Sequence, residues 1–227
     1  MIPTIDGKLY HFENPGIYDG LFLMADTETS TFWNHITGEA LYGELVGQRL
    51  PLSNLLQMNV EQALAMDPNI EIALSPYEGP RIAGGQYARD DETRDLMPRF
   101  AGTLGTGDER RPRMELGLGV WTDQTNRYYA VESIRAQGNF VIDDLDGRSV
   151  LVYVDPISST PAALYVDAGE ARFEGSEIHL SDGTVVRAGS LVGPDGGPIS
   201  VDRPLQLFTR WYGYARTFPG TEIFGED

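Results

Sequence analysis

The feature that most constrains this chain is a long series of short apolar segments, each closed by turn residues. Segments at 8–13, 21–25, 31–36, 39–45 and 71–75, and a second series at 115–121, 127–131, 139–145, 149–155, 162–167, 177–180 and 184–191, all have strand length. Asp146-Gly147 and Asp182-Gly183 lie between apolar runs, and Asp195-Gly196 repeats the chemistry. Asp-Gly supplies the left-handed backbone of two-residue hairpins at little steric cost. The expected fold class is α+β, mainly antiparallel β with a few short helices.

Helical signals are few. Asn59 with Gln62 forms a capping box that opens a helix to about Met66, with Leu56, Val60, Ala63 and Leu64 turned inward. A second helix is expected from Pro204 to Arg216, where Leu207, Trp211 and Tyr214 recur at helical spacing, and a weaker one over 131–137. Met66-Asp-Pro-Asn-Ile-Glu-Ile72 and Phe218-Pro-Gly-Thr-Glu-Ile223 both read as helix, proline turn, then an acid and isoleucine entering a strand. That suggests two β-rich halves related by duplication. The rhythm breaks over 77–113, which places a boundary near 105 and gives halves 1–105 and 106–227, or else one compact domain.

Charge excludes several functions. Acids number 34 against 17 basic residues, a net charge of −17, so nucleic acid and acidic membrane surfaces are not expected partners. Cysteine is absent, which removes disulfides, thiolate metal sites and thiol redox chemistry. The first residues lack a basic-then-apolar leader and no apolar run reaches spanning length, so a cytoplasmic location is expected. The nucleophile elbow, the Walker loop and the His-Glu-x-x-His motif are all missing.

Two groups of residues carry chemistry. Asp26, Glu28 and His35, with His11 as a further ligand, have the donor types for zinc, iron or manganese. Asp26-Thr-Glu-Thr29 also reads as a plain turn whose side chains cap backbone amides. Arg89, Arg94, Arg99, Arg110, Arg111 and Arg113 crowd one segment and could hold an anion, with Trp33, His35, Arg99 and Arg113 lining a polar pocket. The competing reading is self-pairing with Asp90, Asp91, Glu92, Asp95, Asp108 and Glu109. Asp143-Asp-Leu-Asp-Gly147 resembles a fragment of a calcium loop and equally a hairpin turn. Trp211, Tyr212 and Tyr214 read either as a ligand platform or as core.

Asp26-x-Glu-Thr-Ser-Thr-Phe-Trp33, Thr37-Gly-Glu-Ala-Leu-Tyr-Gly43 and Gly47-x-x-Leu50 resemble the bacterial and archaeal family catalogued as domain of unknown function 3179. The resemblance continues through Leu116-Gly-Leu-Gly-Val120, Arg127-Tyr-Tyr-Ala-Val131, Asn139-Phe-Val-Ile-Asp-Asp144, Trp211 and Phe218-Pro-Gly-Thr-Glu-Ile223. It implies a fold but no reaction. Many relatives carry a secretion signal and a Tyr-Cys-Pro-x-Cys-like segment; here Val152-Tyr-Val-Asp-Pro156 stands in an analogous position without a thiol. The expectation is a non-redox small-anion binding or interaction protein, without a cofactor. The alternative is a metal-assisted hydrolase or lyase using Asp26, Glu28 and His35 with a divalent metal.

Overall fold

A computed structural model describes residues 3–74 and 98–226. Arg89, Arg94, Asp90, Asp91, Glu92, Asp95 and the side chain of Arg99 lie outside the described residues. The chain opens with a small hairpin, β1 (Thr4–Ile5) and β2 (Lys8–Leu9). A meander follows, formed by β3 (Phe12–Tyr18), β4 (Leu21–Asp26), β5 (Phe32–Asn34) and β6 (Ala40–Tyr42). Then come α1 (Val60–Met66) and α2 (Pro98–Ala101). The second half runs β7 (Leu116–Trp121), β8 (Asn126–Ala130), α3 (Val131–Ala136), β9 (Phe140–Leu145), β10 (Arg148–Val154) and β11 (Pro161–Tyr165). It continues through β12 (Ala171–Glu174), β13 (Glu177–Leu180), β14 (Val185–Arg187), β15 (Ser190–Val192) and β16 (Pro198–Ile199). The end is β17 (Leu205–Arg210), α4 (Trp211–Thr217) and β18 (Glu222–Ile223).

These strands form a central pair of sheets, β17-β7-β8-β18 and β11-β10-β9, with β12 to β16 as a further sheet in sequence order. Among the described residues every strand pair is antiparallel except β8 with β18. The fold is α+β and mainly antiparallel β, as the turn pattern predicts.

Side-chain alternation explains the layering. Val150, Val152 and Val154 of β10 join Leu118, Val120, Tyr129 and Ile134 in one core, while Leu151 and Tyr153 point the other way, to Leu164, Ile178 and Val186. A strand buried on both faces reads as a continuous apolar run, as 150–154 does. β8 divides similarly, and its Tyr128 and Ala130 pack with Trp211 and Tyr214 of α4. Ile36 and Leu52 from the first half enter that same cluster. Each such buried apolar side chain contributes roughly 1.5–3 kcal/mol. The glycines of β7 make room for two rings: a Cβ at Gly119 would lie 2.0 Å from Tyr214, and one at Gly117 would lie 2.4 Å from Tyr128.

Several expectations need correction. Residues 205–210 form strand β17, with only 211–217 helical. The period there is two: Leu205 and Leu207 face the α4 cluster, while Gln206 bonds the Ala163 backbone and Phe208 packs on the opposite core. α1 starts at the expected cap, with Asn59 Oδ1 accepting from the Gln62 amide at 2.8 Å. Its roll differs, since Gln62 is buried while Val60 and Leu64 are exposed. Two hydrogen bonds fix that roll: Asn59 Nδ2 donates to Ile157 O, and the Thr160 hydroxyl to Gln57 O. The span 184–191 is a hairpin, turned by Ala188 (φ 49) and Gly189 (φ 83). Residues 71–74 form no strand. The two proline turns nevertheless share their hydrogen bonds, Ile70 N to Asp67 O and Thr221 N to Phe218 O, both 3.1 Å. The second alone leads into a strand among the described residues, β18.

Candidate functional site

β4 ends at Asp26, so strand alternation does not carry Glu28 to the same side. The chain turns instead, with Ser30 at φ 56, and closes by Asp26 N to Thr31 O at 3.1 Å and Ser30 N to Asp26 O at 3.0 Å. The Asp26 side chain is 1% exposed. Its Oδ1 accepts from the Thr29 amide (2.6 Å) and hydroxyl (2.8 Å), and its Oδ2 from the Thr31 amide (3.2 Å) and Trp33 Nε1 (2.9 Å). Burial alone would raise the carboxyl pKa. The donations from the Trp33 indole, from the Thr29 hydroxyl and amide, and from the Thr31 amide outweigh it and hold the value below the ordinary one. Trp33 is fully buried beside Ala40 and Leu50, with the Phe12 ring edge-on at 5.8 Å, so it is a core residue rather than a pocket wall.

The other candidate ligands go elsewhere. Glu28 reaches back to His11, accepting from its backbone N–H at 3.0 Å and pairing with its Nδ1 at 2.7 Å, and these contacts lower the Glu28 pKa. His35 donates Nδ1–H to the Phe22 carbonyl at 2.7 Å, which fixes the tautomer. Burial lowers the His35 pKa, and the carbonyl contact opposes that in part. Among the described residues no three His, Asp or Glu side chains gather as metal ligands. The structure therefore does not bring Asp26, Glu28, His35 and His11 together around one point.

The same turn recurs in the second half, where sequence reading singled out nothing of the kind. Asp155, 2% exposed, accepts through Oδ1 from the amides of Ile157 and Ser158, both 2.9 Å. Asp155 N donates to Thr160 O, Ser159 N to Asp155 O, and Ser159 has φ 59. The hydroxyl pair Ser158–Thr160 matches Thr29–Thr31, each at 2.7 Å. Asp26-x-x-Thr-Ser-Thr31 and Asp155-x-x-Ser-Ser-Thr160 spell this likeness in the sequence. Asp143, Asp144 and Asp146 serve the β9–β10 hairpin and its neighbours: Asp144 Oδ1 accepts from Gly147 N, and Asp146 accepts from Thr122 and Thr125. Asp143 receives the Tyr129 hydroxyl and pairs with Arg127.

The arginine segment does border a groove. Residues 101–113 (except 102 and 103) with Tyr212 and Arg216 of α4 line a space of about 620 Å³, and Arg110, Arg111, Arg113 and Arg216 all contribute to its wall. Arg113 is thus in place as a lining residue, whereas Trp33 and His35 are not among them. The groove abuts the β3–β4 turn rather than the 26–47 hairpin: Leu104 presses so closely that a Cβ at Gly20 would lie 2.1 Å from it.

Acids hold these arginines in set positions. Glu115 grips Arg111 at Nε (2.8 Å) and Nη2 (2.6 Å), Glu226 takes Nη1 (2.7 Å), and the pair with Glu115 raises the arginine pKa. Arg110 bonds Asp108 through Nε and Nη2, and its guanidinium lies 5.5 Å over the Trp211 ring. Arg216 bonds Asp19 and the Gly105 carbonyl. Self-pairing is thus real, but of these four acids Asp108 alone belongs to the segment whose composition suggested it, while Glu115, Glu226 and Asp19 lie outside it. Trp211 and Tyr214 are core, and only Tyr212 of that aromatic group borders the groove.

No described helix is long and apolar enough to cross a membrane. No curated protein and no solved structure matches the chain. Residues 4–197, more than half of the sequence, match the model of the family described as Protein of unknown function (DUF3179), and the chain belongs to that family.

Proposed function

We propose that this chain is a non-redox binding protein that takes a small anion, bearing carboxylate or phosphate groups, in the groove between residues 101–113 and α4. The observation that carries the reading is the convergence of Arg110, Arg111, Arg113 and Arg216 on one groove of a chain with net charge −17. Guanidinium groups match carboxylate and phosphate oxygens in pairs. Arg111 is already fixed by Glu115 and Glu226, so less side-chain freedom is lost when an anion arrives. Among the described residues Arg110 uses Nε and Nη2 in its protein contacts, which leaves Nη1 for a ligand. Tyr212 adds an aromatic wall, braced by Phe100 at 5.9 Å. Asp108 and Glu109 also line the groove, and together with the chain's net charge of −17 they disfavour polyanions, so the ligand class is small. A thermal-shift panel of di- and tricarboxylates and phosphates at low ionic strength tests this. A saturable rise with one class supports the reading, and a flat panel contradicts it.

A further inference from the structure

The end of the groove already holds one carboxylate, and it belongs to the chain itself. Asp19 and Gly20 form the two-residue turn between β3 and β4, with φ of 49 and 75, the left-handed pair of a type I′ hairpin. From that turn the Asp19 carboxylate accepts both from Arg216 Nη1 and, at 2.9 Å through the same Oδ1, from the Gly105 amide. Gly105 and Arg216 are groove residues. The Arg216 side chain is only 9% exposed, and its Nε is buried without a hydrogen-bond partner among the described residues. Asp19 is 43% exposed at its side chain, so the position it fills opens to solvent. One backbone N–H and one buried guanidinium converging on a single oxygen is the donor set of a carboxylate site.

We propose that Arg216 and the Gly105 amide form a carboxylate seat and that Asp19 is its internal occupant, competing with an external carboxylate for the groove's inner end. The seat deepens the anion reading above and rests on it for the ligand. It adds a ligand class, carboxylate at this end, and a form of regulation, since any motion of the β3–β4 turn that withdraws Asp19 opens the seat.

The turn permits a clean test. Asp19→Gly removes the carboxylate without strain, because glycine tolerates the left-handed backbone and Gly-Gly suits a type I′ turn. Asp19→Asn keeps the turn and the side-chain shape but not the charge. In Asp19→Gly the seat is empty and Arg216 has lost its carboxylate, so the melting temperature should fall. Formate at about ten times its Kd should then raise the folding equilibrium constant about tenfold. Sodium chloride at equal ionic strength should not, and the wild type and Asp19→Asn should gain little from formate. Should Asp19→Gly not refold unaided, refolding yield in formate against chloride gives the same readout. A formate response equal to that of the wild type, or equal to the chloride response, overturns the seat. If citrate still binds the wild type in that case, the groove reading survives. Formate rescue together with no citrate binding by the wild type supports the seat and overturns the groove as a site for larger anions.

Discussion

Asp26→Asn is the substitution that separates a turn-building carboxylate from a catalytic one. In the wild type, Oδ1 serves the Thr29 amide and hydroxyl, and Oδ2 serves the Thr31 amide and the Trp33 indole. An asparagine that keeps its oxygen on Thr29 turns an NH2 toward the Thr31 and Trp33 donors. The flipped amide turns it toward the Thr29 N–H. Either way an N–H faces an N–H in a site that is 1% exposed, and the charge that strengthened every contact is gone. A stranded buried donor costs about 1–3 kcal/mol; the flipped orientation strands only the Thr29 amide and is the cheaper, and with the weakening of the remaining contacts the loss is about 3 kcal/mol. For a chain of this length that lowers the melting temperature by roughly 6–12 °C. The pH dependence has a definite sign. Because the folded pKa of Asp26 lies below its ordinary value, the stabilisation is complete above the unfolded pKa and is lost as pH falls through the folded one. The gap between wild type and variant should be full at neutral pH and narrow below about pH 4. Urea denaturation followed by tryptophan fluorescence, at neutral pH and near pH 2.5, measures both. A neutral-pH loss under about 0.5 kcal/mol, within the range of ordinary surface substitutions, or a gap that does not narrow in acid, would refute the reasoning.

Three further outcomes follow from the packing. Gly119→Ala should cost about 3 kcal/mol in chemical denaturation, because the Tyr214 ring 2.0 Å from the new Cβ is fully buried and tied by its hydroxyl to Val120 O; a loss under 1 kcal/mol would contradict this. His35, whose folded pKa is lowered by burial, should contribute stability that is complete above its unfolded pKa near 6.5 and lost as pH falls toward the folded value. An NMR titration midpoint at or above 6.5 would reverse that sign. Gln62 Oε1, buried without a partner among the described residues, borders with Tyr153 a cavity of about 10 Å³, the room one water needs. A high-resolution crystal structure should show an ordered water bridging them, and a dry cavity there would count against the account.

The sequence made the strands legible wherever a turn residue and an apolar alternation agreed, as in β7 to β11 and β13. It misled where a strand and a helix share one apolar pattern. Leu207, Trp211 and Tyr214 fit a helical spacing, yet Leu207 belongs to β17, and the edge of β7 decides that. Tertiary hydrogen bonds decided α1 in the same way, by rolling a polar Gln62 inward and two apolar residues outward. At the site, residue types showed that arginines cluster but not which ones share a groove. Arg216 stands 103 positions after Arg113 in the sequence and meets it only through α4. The Asp155 turn was readable in principle from its likeness to the Asp26 turn, because both place an Asp three residues before a hydroxyl and five before a threonine.

Isothermal titration calorimetry of the full chain with citrate, at low ionic strength, tests the central claim most directly. The account predicts one saturable site in the wild type, weakened at least tenfold by Arg110→Ala, a substitution at a side chain 45% exposed that should leave the fold intact. Added salt should weaken the binding of the charged ligand. No binding heat in the wild type, or equal affinity in Arg110→Ala, would contradict it.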